Sequence, residues 1–262
     1  MAYRITAFGG VTITPTGMDI GRSEIRDPYA PTISGVFDTL GTNRARQDLP
    51  RLLPVRAQVE ATSAAALKTA WDSVLALHGT SGTLTRTSDS AVAHTISARC
   101  RRIQADRTPH DRFRIPYIIE FDLLADVWDG AAHTETITLD ASPKSQDCDN
   151  DGNGIVRAVT ITVTASGSPI TAVIIENLEK GHVSKIKYAG SIAVGQSLVI
   201  DCGATTIRNN GVNAYTMAFT LESGHSIREW LRLMPGANTI RVTRTGGDNA
   251  STCVLTYNDG WV

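Results

Sequence analysis

Long apolar runs are missing from this 262-residue chain. No stretch approaches the ~18 residues of a membrane-spanning helix, so membrane insertion is not expected. A surplus of either charge is missing as well: 25 Lys and Arg stand against 26 Asp and Glu, for a net charge of −1. Capture of phosphate backbones or anionic membrane surfaces draws on a basic surplus, so the balance argues against a nucleic-acid reader. The local basic run Arg99, Arg101 and Arg102 flanks Cys100 in a strand-like segment and reads as a solvated strand face. Cysteine is scarce: Cys100, Cys148, Cys202 and Cys253 lie far apart with no C-x-x-C spacing. The opening "MAYRITAFGGVTITP" lacks the apolar centre of a signal peptide. The expectation is a chain folded in a cytoplasm with free thiols.

What is present is mostly strand signal. In "FRIPYIIEFDLL", Phe113, Ile115, Tyr117, Ile119, Phe121 and Leu123 share one face, with Arg114, Glu120 and Asp122 on the other. Pro116 cannot donate to a ladder, so this strand is expected to be at an edge there, or bulged. "YRITAF", "VRAQVEA" and "ISARCRRI" show shorter alternation. One segment departs from it: in "TSAAALKTAWDSVLALHG", Leu67, Trp71, Val74, Leu75 and His78 recur at helical spacing. Thr62 or Ser63 can cap that helix and Gly79 can close it.

After "VWDG" the texture changes. A polar stretch over 131–154 holds Pro143 and several aspartates, and short strands follow: "AVTITV", "AVIIEN", "SKIKYAG", "QSLVIDC", "TTIRN", "AYTMAFTLE", "NTIRVTR" and "TCVLTYN". Turn signals such as "NNG" separate them at sandwich spacing. "SIREWLRL" is a short helix-period segment among them. The expected architecture is an α+β domain over 1–130, a hinge over 131–154, and an all-β sandwich over 155–262.

Catalytic signatures fail one by one. "SQDCDNDGNG" opens like an EF-hand loop, with Asp147, Asp149, Asp151 and then Gly152. The twelfth position, which needs a bidentate Glu, is Ala158, and no flanking helices are evident. The stretch reads either as a polar hinge, since Asp and Asn favour turns, or as a weak calcium site on those three carboxylates; no other metal ligands and no cofactor are expected. The six histidines show no H-E-x-x-H. "GHSIR" around Ser226 begins like a nucleophile elbow but ends in Arg228. His110 beside Asp111 is a sequence neighbour rather than a working dyad. A calcium-dependent hydrolase is therefore a remote reading, and the chain is expected not to be an enzyme. A sugar-binding sandwich would present aromatic rings, for which Trp230 and Trp261 are the candidates, although Trp230 also reads as core.

"LESGHSIREWLRLMPGANTIRVTRTGG…CVLTYNDGWV" resembles the C-terminal end of siphophage distal tail (Dit) proteins. "GQSLVIDCGATTIRNNGVNAY", "ENLEKGHVSKIKYAGSIAVG", "HGTSGTLTRT…ISARCRRI" and "IEFDLLADVWDG" are similar to the same family, so the resemblance covers nearly the whole chain. It implies a β-barrel-like first domain with one helix and an outward galectin- or carbohydrate-module-like sandwich. It implies a six-membered ring in the virion tail, assembled in the host cytoplasm, joining the tail tube to the tail hub. Receptor-binding or side-fibre proteins would attach to that ring, and DNA would pass through its lumen unbound. A carbohydrate-binding module for host attachment is the alternative. Within the ring reading, strand 113–124 is expected to extend a sheet across subunits. "GTNRARQDLPRLLPVR" (41–56) is expected to be an extended arm or a surface loop.

Overall fold

The computed structural model describes residues 3–15, 51–88, 90–105, 113–125, 127–179, 184–214 and 230–262. The chain divides into two compact units, Met1–Trp128 and Asp129–Val262.

In the first unit, β1 (Tyr3–Phe8), β2 (Val11–Thr12) and β3 (Thr14–Pro15) precede β4 (Arg51–Glu60), α1 (Ala64–Leu75), β5 (Ser81–Ser88), β6 (Ala93–Ala105) and β7 (Arg114–Leu123). Gly9 and Gly10, at φ 55° and 82°, reverse the chain so that β2 returns along β1 with Ala7 opposite Thr12. The Ile13 amide donates to the Thr6 carbonyl at 2.9 Å, and β3 then crosses to β4, with Thr14 opposite Gln58. β1 also pairs with β5, β5 with β6, β6 with β7 and β7 with β4, all antiparallel. Hydrogen bonding thus runs from β4 through β7, β6, β5 and β1 to β2, and β3, which follows β2 in the same segment, pairs with β4, so the sheet curls round as a barrel. Closure removes exposed edges from a sheet. Side chains alternate faces along a strand, and Val55, Ala57, Leu84, Ile96, Ile119 and Phe121 fill the inside. Phe8 and Phe121 meet with ring centroids 4.8 Å apart.

Ser63 caps α1 by accepting from the Ala66 amide at 3.2 Å. The helix turns Leu67, Ala70 and Trp71 half inward and buries Val74. Trp71 meets the ring of Tyr117 edge-on at 5.5 Å. His78, placed by periodicity on the helix, lies beyond its end and is exposed. Gly79 closes the turn at φ 78° and donates to the Cys100 carbonyl at 2.8 Å.

Two expectations need correcting in this unit. β7 is not an edge strand: β4 pairs with it over Arg114–Leu123 and β6 over Tyr117–Leu123. Among the described residues no β6 partner stands opposite Pro116, which pairs with Gln58 of β4. The bulge lies instead on β6, between Cys100 and Arg102. Phe113 falls before the strand and is 37% exposed rather than buried with its alternating partners. Of the segment 41–56, residues 51–56 open β4, and the rest lies outside the described residues.

The second unit is a sandwich. One sheet runs β15 (Val212–Asn213), β14 (Thr206–Asn209), β13 (Ser197–Asp201), β10 (Thr160–Thr164), β17 (Thr252–Trp261) and β8 (Trp128–Thr138). The other runs β12 (Ser184–Tyr188), β11 (Ile170–Asn177), β16 (Thr239–Gly246) and β9 (Lys144–Asp147). Ile161, Leu198 and Leu255 from the first sheet share one core with Ile175, Ile186 and Val242 from the second. Asn210 and Gly211, at φ 48° and 78°, form the two-residue turn between β14 and β15 that "NNG" announces.

The stretch 131–154 is not a plain hinge, because it carries most of β8 and all of β9. Its polarity misled: both strands expose a polar row, and the alternation is visible only once Cys148 and Asn150 are read as inward residues. "AYTMAFTLE" beyond Ala214 lies outside the described residues, as does "SIREWLRL" before Trp230. Leu233, from the end of that second segment, forms an antiparallel bridge with Val156 instead of continuing a helix.

Candidate functional site

The aspartate stretch is the first candidate. Residues 147–151 run beside 236–239, with the Cys148 amide on the Asn238 carbonyl and Asn150 bridged to Gly236 before the chain bends at Gly152; Asp147, Asp149 and Asp151 are exposed and Cys148, Asn150 and Gly152 buried. Alternation therefore sends the three carboxylates outward in a row, about 6–7 Å apart by strand rise, instead of curling them around a point as an ion requires. Among the described residues no group of three or more His, Cys, Asp or Glu is placed to hold a metal.

Asn150 fixes the backbone beneath that row. Its amide nitrogen donates to the carbonyls of Gly154 at 2.8 Å and Met234 at 3.3 Å. Its amide oxygen accepts from Gly152 at 3.1 Å and Gly260 at 3.0 Å. The Tyr257 hydroxyl donates to the Asp149 carbonyl at 2.8 Å, and the Asp151 amide donates to Asp259 Oδ1 at 2.9 Å. Asp259 also lies 3.1 Å from His133 Nε2, and the His133 ring stacks on Tyr257 at 5.1 Å. Asp147 accepts from the Thr239 hydroxyl at 3.1 Å, whereas Asp149 and Asp151 extend into solvent.

A second candidate is the outer face of the barrel at the β6 bulge. The extra residue leaves Arg99, Arg101 and Arg102 all exposed. Arg101 reaches Asp122 at 3.6 Å, and Arg102 stands opposite Glu120. β5 accompanies β6 only as far as Ser81 opposite Arg99, and Thr80 and Gly79 then bond Cys100. Beyond that point β6 continues along β7 as far as Ala105 opposite Tyr117.

A third feature is internal. Arg86 is 7% exposed, with its guanidinium 4.3 Å from the Tyr3 ring centroid and 4.5 Å from that of Trp128. Two aromatic faces stabilise the buried cation electrostatically, while desolvation pulls its pKa below the usual arginine value.

Nothing described resembles a nucleophile. All four thiols are buried and free. Burial pushes Cys148, Cys202 and Cys253 up to about 12, away from the thiolate that reacts. Ser226, His110 and Asp111 lie outside the described residues. Trp230 is half-buried and packs against the sandwich core. Trp261 is half-buried, and its indole nitrogen sits 2.5 Å from where a side chain on Gly130 would begin. The aspartate stretch was singled out in the sequence, whereas the arginine face was not, because Arg99, Arg101 and Arg102 resemble ordinary strand solvation. The signal that marks it is the adjacent Arg101 and Arg102, which breaks period two and points to a bulge.

With this geometry in hand, the comparisons are specific. Residues 153–261 match the family described as siphovirus-type tail component, C-terminal domain. The crystal structure of the Dit protein of phage SPP1, described as a paradigm of the hub adsorption apparatus in phages infecting Gram-positive bacteria, has a similar fold. The TM-score is 0.57 at 18% identity, over 79% of this chain and 78% of that one. A chain of the phage P2 baseplate in its calcium-activated conformation aligns over 98% of this chain and 90% of its own, at 9% identity and a TM-score of 0.38. No curated protein matches the chain. Residues 153–261 thus carry the signature of a siphovirus-type tail component C-terminal domain. The fold of the chain is like that of the SPP1 Dit protein.

Proposed function

We propose that this protein forms a ring, six-membered by family resemblance, that joins the tail tube to the tail hub and leaves an axial passage for DNA. The observation that carries the reading is the joint one: a tail-component C-terminal domain over 153–261 in a chain whose fold is like that of SPP1 Dit. The barrel unit makes the ring, and the sandwich points outward to meet receptor-binding or side-fibre proteins. A net charge of −1 suits passage, because a strongly basic lining would retain phosphates. The role is structural and not enzymatic. The sugar-binding alternative gains no support from Trp230 or Trp261, since the first packs on the core and the second lies against Gly130. The ring forms in the host cytoplasm and ends in the virion tail.

The test is light scattering with negative-stain microscopy of the purified chain, alone and with the adjoining tail proteins. Annular particles of about six copies are expected. Monomers under every condition, the neighbours included, would end the ring reading.

A further inference from the structure

The filling of the barrel changes at one end. Ile5, Phe8, Leu84, Ile96, Ile119 and Phe121 make an apolar interior, but next to the β5–β6 turn Tyr3, Arg86, Ser88, His94 and Trp128 take over. Arg86 stands opposite Ile5 on one side and His94 on the other, and the His94 ring lies 5.3 Å from that of Tyr3. The Arg86 guanidinium meets the faces of Tyr3 and Trp128. Such contacts use the π-faces of the rings and leave the N–H donors to find acceptors. Two of those donors, Nε and Nη2, are buried with no hydrogen-bond partner among the described residues. They form the edge of the fork that takes a carboxylate side-on. Arg241 directs the same two nitrogens at the Glu176 carboxylate, at 2.8 and 2.7 Å. In the barrel that place is not filled from within the described residues. The described carboxylates of the first unit are Glu60 and Asp72, both exposed, and Glu120 and Asp122, on the outer face of β7.

We propose that the Nε–Nη2 edge of Arg86 is the receptor for a carboxylate that comes from outside this chain, at the mouth of the barrel. Burying a cation with open donors is costly, and an apolar side chain of similar volume would serve stability as well or better. A ligand explains why an arginine stands there. Its desolvation, which already holds the Arg86 pKa below the usual value, would be offset by two parallel charge-assisted bonds. Barrel mouths are recurrent ligand sites, and the turn beside this one leaves Ser90, Ala91 and Val92 exposed. Entry is past Tyr3, the more exposed of the two rings. A small carboxylate ion and an acidic side chain of an adjoining protein offer the same group, and the test separates them. The proposal does not depend on the ring reading.

The experiment melts the full-length chain in sodium acetate and, at equal ionic strength, in sodium chloride. Acetate is expected to raise the melting temperature of wild type in a saturable way, since a ligand of the folded state stabilises it. Arg86→Met should abolish that response. Arg86→Lys keeps the charge without the fork and should weaken the apparent acetate affinity by at least about tenfold. If the methionine version does not fold, the lysine version decides alone. Asp89→Asn and Asp126→Asn, at sequence neighbours of Ser88 and Trp128, are expected to leave the response unchanged. A protein-borne carboxylate shows differently: wild type ignores acetate, and its association with the adjoining tail proteins, read by sedimentation, falls at least about tenfold in Arg86→Lys. An acetate response equal in wild type and Arg86→Met overturns the proposal by placing the ion elsewhere. A response that emerges only once Asp89 or Asp126 is changed also overturns it, because the chain then supplies its own carboxylate. So does a wild type that ignores acetate and whose association Arg86→Lys leaves unaltered. Annuli of wild type decide the ring reading separately.

Discussion

Asn150 shows how much one side chain can hold in this fold. It is fully buried, and its amide makes four hydrogen bonds that join the chain after β9 to Met234 and to the end of β17. Asn150→Ala would strand two carbonyls and two amides, and is expected to cost about 3 kcal/mol, since a buried group left unpaired costs ~1–3 kcal/mol. Urea unfolding of the intact chain measures this. The neighbouring Gly152 has no room for a methyl group, because its Cβ would run into the Gly260 carbonyl. Gly152→Ala should therefore destabilise by about 1–3 kcal/mol as the backbones separate, with a matching fall in melting temperature. The thiols give a pH prediction. Cys148, Cys202 and Cys253 are raised from 9.0 to about 12 by burial. Above about pH 9 the unfolded chain releases protons that the folded chain retains. Stability is therefore unaffected by these groups below that pH and falls as pH climbs toward 12. Thermal melts across that range should show the loss, and alkylation at neutral pH should modify these cysteines only after unfolding.

At the scale of elements, the strongest expectation concerns β7, which has a paired neighbour on each side. A proline in its middle removes a ladder bond with no solvent to replace it. Ile119→Pro should unfold the barrel, whereas Val212→Pro, on the two-residue strand at the sheet margin where Val212 is 70% exposed, should leave the melting temperature within a few degrees of wild type. Ser63→Ala removes the helix cap and is expected to cost about 1 kcal/mol. The elements themselves were largely legible in the sequence. Alternation marked β7, β10, β11, β13, β16 and β17, the spacing of Leu67, Trp71 and Val74 marked α1, and Asn210-Gly211 marked a hairpin. Which strands lie side by side was not legible. Pro116 suggested an edge because a missing donor is visible in sequence, while the β4 and β6 partners that flank Tyr117–Leu123 are a tertiary fact. The aspartates suggested an ion loop because their spacing matches one. Only their extended backbone, with Cys148 and Asn150 turned inward, shows that the carboxylates diverge.

For the molecule as a whole, residues 153–261 match a siphovirus-type tail component domain and the fold is like that of SPP1 Dit. The charge pattern then becomes informative in a way the total cannot be. A sum of −1 conceals a basic face on the barrel and an acidic row on the sandwich. A net charge near zero gives little long-range pull on a polyanion. The fold of each unit is held by apolar burial, so the melting temperature is expected to change little along a salt series.

Among the described residues the barrel, finally, is zipped by very little: Val11–Pro15 alone spans the gap from β1 to β4, against the ten-residue ladder that joins β4 to β7. A short seam opens more readily than a long ladder, so amide hydrogens at Thr12, Ile13 and Gln58 should exchange with deuterium well before those at Ile119 and Phe121. Each such opening would turn a cylinder into a ribbon, baring the margins of β1 and β4 for as long as the gap persists.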